Sequence, residues 1–170
     1  MAYLLSFCKL VLGFLFLVSA VSKLRDPDRF KETIIRFQIV TRARAVSAAV
    51  LVIGWEVVIA AFLLVGGAYL VVGFALATLL LLTLSLVLLS VIKRNISASC
   101  NCFGPGSEQV SYRSLGRNGF LGLLALVGFY LSLFQGSAAS LPALVSTLPA
   151  ALVTTVLVTQ YSVIVELFSS

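Results

Sequence analysis

Two cysteines one residue apart, Cys100 and Cys102, stand in the longest polar stretch of the second half of the chain, "KRNISASCNCFGPGSEQVSYRSLGRN" (residues 93–118). The thiolate is the form of cysteine that attacks disulfides or binds metal, and neighbouring cations raise its population. Lys93, Arg94, Arg113 and Arg117 flank the pair and would supply that field. A disulfide between residues i and i+2 closes a small ring far from the geometry such bonds prefer, which favours exchange over structural stapling. The turn-forming string "FGPG" follows at once, so that Phe103 and Gly104 bend the chain beside the thiols. Three other readings fit the bare pair. It could hold a soft ion such as copper(I), form a turn with small apolar thiols, or carry a lipid.

Glu56, in "VIGWEVVIA", is the second group with chemistry, because an ionisable residue inside an apolar run is costly and functional by default. Its expected partner is Lys9. Counted at about 1.5 Å per residue, Lys9 lies roughly 20 Å and Glu56 roughly 15 Å from the inner surface, a gap that long side chains close. A structural ion pair, or a protonated carboxyl bonded to a neighbouring helix, is favoured over a proton relay. Cys8 falls near the opposite surface and reads as a packed thiol. The chain has no histidine, which excludes serine–histidine catalysis and histidine-ligated zinc or haem. Its three cysteines make no disulfide framework.

These residues are carried by a chain that is 61% hydrophobic and 11% charged. Apolar runs at 46–66, 68–92 and 143–165 exceed the ~18 residues that mark a membrane span, and 4–22 and 119–135 come close. None alternates as barrel strands do. The predicted fold is an all-α integral membrane protein, a four-helix transmembrane bundle plus a fifth, C-terminal transmembrane helix that contains Pro142 and Pro149.

Lys23, Arg25, Arg29, Lys31, Arg36, Arg42 and Arg44 lie between the first two spans, and the four cations of the cysteine stretch lie between the third and fourth. The positive-inside rule makes that side cytoplasmic and puts the N-terminus outside. The net charge of +6 then reflects topology and contact with anionic lipid, and nucleic acid is not an expected partner. No basic residue precedes the first apolar run, so it is expected to remain as a helix and not to be cleaved as a signal peptide. Within 26–45, Phe30, Ile34, Phe37 and Val40 recur at helical spacing opposite basic groups, as in a short amphipathic helix along the inner headgroups. The "NIS" sequon at 95–97 faces the cytoplasm and would not be glycosylated.

Three strings, "GFLFLVSAVSKLRDPDRF", "WEVVIAAFLL" and "CNCFGPGSEQVSYRSLGRN", resemble the MauE family, grouped with DoxX-like redox-associated bacterial membrane proteins. The resemblance covers roughly residues 10–135. It implies a four-helix membrane domain over 1–135 in the bacterial cytoplasmic membrane. It also implies a redox pair at Cys100 and Cys102, shaped by Phe103 and Gly104, with Glu56 and Lys23 at family-pattern positions in the bundle. The implied activity is thiol–disulfide exchange with a thioredoxin-like or other redox protein. Two features depart from the family pattern: Asn101 between the cysteines, and the apolar segment within 136–170, which hints at a lateral membrane partner.

The second functional reading is therefore an accessory subunit or assembly factor of a larger respiratory or photosynthetic complex. A transporter is disfavoured, since no inverted repeat is apparent. No flavin or haem motif is present, so electrons would pass to another protein or to a membrane quinone, for which no residue defines a site. A lasting disulfide is least expected on a cytoplasmic loop, which favours transient exchange there.

Overall fold

A computed structural model describes residues 2–38, 40–94, 112–135 and 141–159. These residues form six helices: α1 (Ala2–Arg25), α2 (Pro27–Arg36), α3 (Arg42–Val65), α4 (Tyr69–Lys93), α5 (Tyr112–Gln135) and α6 (Leu141–Thr159). No strand occurs among the described residues. Four helices are long and apolar enough to cross a membrane: α1, α3, α4 and, over Ser114–Phe134, α5. The expected fifth apolar helix is present as α6, whose apolar part, Val145–Thr159, is shorter than the four spans. Within α6, Thr154, Thr155 and Thr159 donate their hydroxyls to carbonyls one turn back, so they expose no unsatisfied group to lipid.

Local chemistry sets the boundaries. Asp26 ends α1 and caps α2, its Oδ1 accepting from the Arg29 N–H at 3.1 Å, with Pro27 at the first helical position. At the far end of α3, Gly66 adopts φ +77°, and its N–H closes on the Phe62 carbonyl at 3.1 Å. Gly67 follows at φ +65°, so two left-handed residues turn the chain directly into α4.

The bundle is organised around α1. Two thirds of its span (67%) is buried, against 33%, 28% and 33% for the other three. It packs along α3, α5 and α6. The main core joins Leu12, Leu15 and Phe16 of α1 to Ile59 and Leu63 of α3, Phe74 of α4 and Leu121 of α5. The α4–α5 contact depends on Gly128, because a Cβ there would overlap the Phe74 ring. Near the other pair, Gly13 brings α1 so close to α3 that a Cβ would sit 2.9 Å from Leu64 Cδ2.

The amphipathic segment between the first two spans contributes α2, which occupies the middle of residues 26–45. Its apolar side packs on protein. Phe30 meets Ala49 and Ile53 of α3, and Phe37, just past the helix end, meets Leu88 and Val91 of α4. The opposite side is exposed and carries an Asp28–Lys31 ion pair at 2.7 Å. The hydrogen bond from Lys31 lowers the Asp28 carboxyl below its ordinary range, and Asp28 in turn raises the Lys31 ammonium. Helix direction alternates from span to span, so every one of the 12 basic residues except Lys9 lies at the end of the bundle that bears α2.

Candidate functional site

Antiparallel α1 and α3 place Lys9 against Gly66, Gly13 against Leu64 and Ser19 against Glu56. At the last of these levels the two helices bring three polar side chains together inside the bundle. Ser19 Oγ donates to Glu56 Oε1 at 3.0 Å, and Lys23 Nζ donates both to the same carboxylate oxygen and, at 2.8 Å, to Ser19 Oγ. Lys23 and Glu56 retain only 3% and 2% exposure, so this ion pair is shielded from both lipid and water. The spacing of four between Ser19 and Lys23 puts both on one face of α1, one turn apart. The Lys23 ammonium also lies 5.1 Å from the centroid of the Phe30 ring, a cation–π contact that ties α2 to the cluster. Glu56 Oε2 is buried and has no hydrogen-bond partner among the described residues.

The partner of Glu56 is thus Lys23, and the expected pairing with Lys9 is incorrect. Lys9 packs against the Gly66 turn, where a Cβ would meet its Nζ at 2.7 Å. There its charge faces the C-terminal end of α3, which carries partial negative charge. Ten residues of α3 separate that level from Glu56, about 15 Å along the axis. The depth count failed because it started α1 and α3 from one plane. Instead α2 lies beside the first half of α3, through Phe30, Ala49 and Ile53, so the C-terminal end of α1 is level with the middle of α3.

Beneath this cluster the five helices α1 to α5 enclose a cavity of about 210 Å³. Its wall is mostly apolar and includes four aromatic side chains, Phe16, Phe30, Phe37 and Trp55. Its polar lining residues include Ser19, Lys23, the buried Thr33 and Glu56, and Arg117 and the buried Asn118 of α5. Two lining residues are also exposed on the outer surface, Leu51 of α3 and Thr83 of α4. Near the Gly66 turn α3 and α4 are in close contact, with Leu63 against Gly73 and Phe62 stacked on Tyr69. Leu51 and Thr83 lie nearer the basic end.

Cys100, Cys102, Phe103 and Gly104 lie outside the described residues. Their segment joins Arg94, at the end of α4, to Tyr112, at the start of α5. Arg113 belongs to the first turn of α5, and Arg117 follows one turn later at the cavity wall. Cys8 is fully buried in the main core, as its reading as a packed thiol requires.

Sequence reasoning alone identified Glu56 but not Ser19, Trp55 or Asn118 as members of one site, and reached Lys23 only through the family resemblance. The available signal was the Ser19/Lys23 spacing on one face of α1. Asn118 offered none, because its role follows from how α5 packs.

Neither a curated protein nor a solved structure gives a significant match to this chain. The family model described as methylamine utilisation protein MauE matches residues 1–131, from α1 to near the end of α5. That span includes the Lys23–Glu56 pair, the cavity wall and the Cys-x-Cys stretch, and leaves α6 outside. With four membrane-spanning helices and this match over most of its length, the chain is a multi-pass membrane protein of the MauE family.

Proposed function

We propose that this protein serves methylamine utilisation as a thiol–disulfide exchange component of the bacterial inner membrane, with Cys100 and Cys102 as its working pair. The observation that carries the reading is the match to the methylamine utilisation family, whose bounds, residues 1–131, include the Cys-x-Cys stretch. The thiolate of one cysteine attacks a sulfur of a partner's disulfide. That S–S bond breaks as a mixed disulfide forms, and the partner's other sulfur leaves as a thiolate. The second cysteine then attacks the first, releasing the partner as a dithiol and leaving Cys100 and Cys102 oxidised. The reverse sequence oxidises the partner. Lys93, Arg94, Arg113 and Arg117 bracket the segment and favour the thiolate. A thioredoxin-like protein is the fitting partner, since it presents a paired thiol of its own.

Thiol trapping in cells tests this directly. The wild type should yield a mixed disulfide with a partner that accumulates in either Cys100→Ser or Cys102→Ser, where resolution is blocked, and disappears in the double variant. Cysteines that remain reduced in all three backgrounds would sink the proposal.

A second reading, an accessory subunit of a larger membrane complex, is favoured by one observation. Helix α6 lies outside the family match, packs along α1 and leaves Val145, Val153 and Val156 more than half exposed. Co-purification of a stable complex that is lost when residues 136–170 are removed would support it.

A further inference from the structure

The unpaired oxygen of Glu56 points to a ligand. A carboxylate oxygen buried without a donor is expensive in a protein interior, where almost all buried polar groups are satisfied. Oε1 already accepts from both Ser19 and Lys23, so Oε2 is the acceptor left over on Glu56, a residue of the cavity wall. A molecule that completes the site must therefore donate a hydrogen bond, and must otherwise be apolar. An apolar cavity of about 150 Å³ accommodates benzene. The present cavity, at about 210 Å³, takes a six-membered ring with several small substituents. Phe16, Phe30, Phe37 and Trp55 favour a flat ring over an acyl chain, because aromatic faces and edges stack on one another. Asn118 adds a group that both donates and accepts. Leu51 and Thr83, which line the cavity and are exposed, mark the side from which a ligand would enter.

We infer that this cavity is a binding site for the ring of a lipid-soluble quinol or quinone, with Glu56 Oε2 accepting the hydrogen bond of a quinol hydroxyl. Binding stands independently of the cysteines. Its link to them rests on the thiol-exchange reading: oxidising the two thiols to one disulfide releases two electrons and two protons, which convert one quinone to one quinol.

Trp55 is the only tryptophan in the chain and lies in the cavity wall, so it reports occupancy. The full chain in detergent is titrated with a decyl-substituted benzoquinone, which quenches indole fluorescence. The corresponding quinol and decylbenzene serve as competitors. Saturable quenching is expected, displaced by the quinol at concentrations at least tenfold below those decylbenzene needs. Glu56→Gln should weaken quinol competition by about tenfold or more, the scale of a hydrogen bond to a charged group. Ala48→Phe narrows the cavity without touching the ion pair and should abolish saturable quenching while melting like the wild type. The Cys100→Ser/Cys102→Ser variant should bind normally, which separates this inference from thiol exchange. Quenching that rises without saturation, or is unchanged by Ala48→Phe, overturns the site. Equal competition by decylbenzene overturns its assignment to a hydroxylated ring.

Discussion

At the scale of the residue, the buried Lys23–Glu56 pair is the most consequential feature of the bundle. Taking two charges out of water is costly, and removing one of them leaves the other buried without its counterion, typically at about 3–5 kcal/mol. Lys23→Met and Glu56→Met should therefore each lower the thermal midpoint in detergent substantially. The double variant should be more stable than either single one, because two apolar side chains of similar length leave no orphan charge. A double variant that melts at the sum of the two losses would show that the side chains act independently. Glu56 was legible in the sequence because a carboxylate in an apolar run cannot be accidental. Its partner was not, because the choice between Lys9 and Lys23 depends on how far α1 is staggered against α3. That stagger is set by Phe30, Ala49 and Ile53 packing α2 beside α3, a tertiary fact with no local signature.

At the scale of the element, close approach is obtained by omitting side chains. In lipid there is little hydrophobic gain from helix contact, so packing depends on small residues that let surfaces interlock. Gly128, under the Phe74 ring, is the clearest instance. Gly128→Ala should cost about 1–3 kcal/mol by overpacking, and Phe74→Leu in the same background should recover part of it. Paired thermal melts would measure both, and an unchanged midpoint for Gly128→Ala would contradict the packing. The spans themselves were readable from long, mostly apolar runs, and α2 from the period of Phe30, Ile34 and Phe37. What the apolar side of α2 would cover was not readable, since the same period serves a lipid surface or a protein groove. Phe30 against Ala49 and Ile53, and Phe37 against Leu88 and Val91, identify protein as the cover.

At the scale of the whole molecule, charge is segregated to one end. All basic residues but Lys9 lie at the α2 end, and the positive-inside rule predicts that this end faces the cytoplasm. Cys100 and Cys102 should accordingly resist a membrane-impermeant maleimide in intact cells and react after permeabilisation, with Cys8, fully buried, silent in both. Labelling of the pair from outside would reverse the orientation.

The hub position of α1 carries a consequence for biogenesis. The helix with the most buried span precedes α3 in the chain, and it is synthesised bearing Lys9, Ser19 and Lys23 before any residue of α3 exists to receive them. Until Glu56 emerges, more than thirty residues after Ser19, α1 carries Lys23 without its counterion. Lys23 therefore gains its counterion only when α3 packs against α1, which ties the burial of the first span to the arrival of the second.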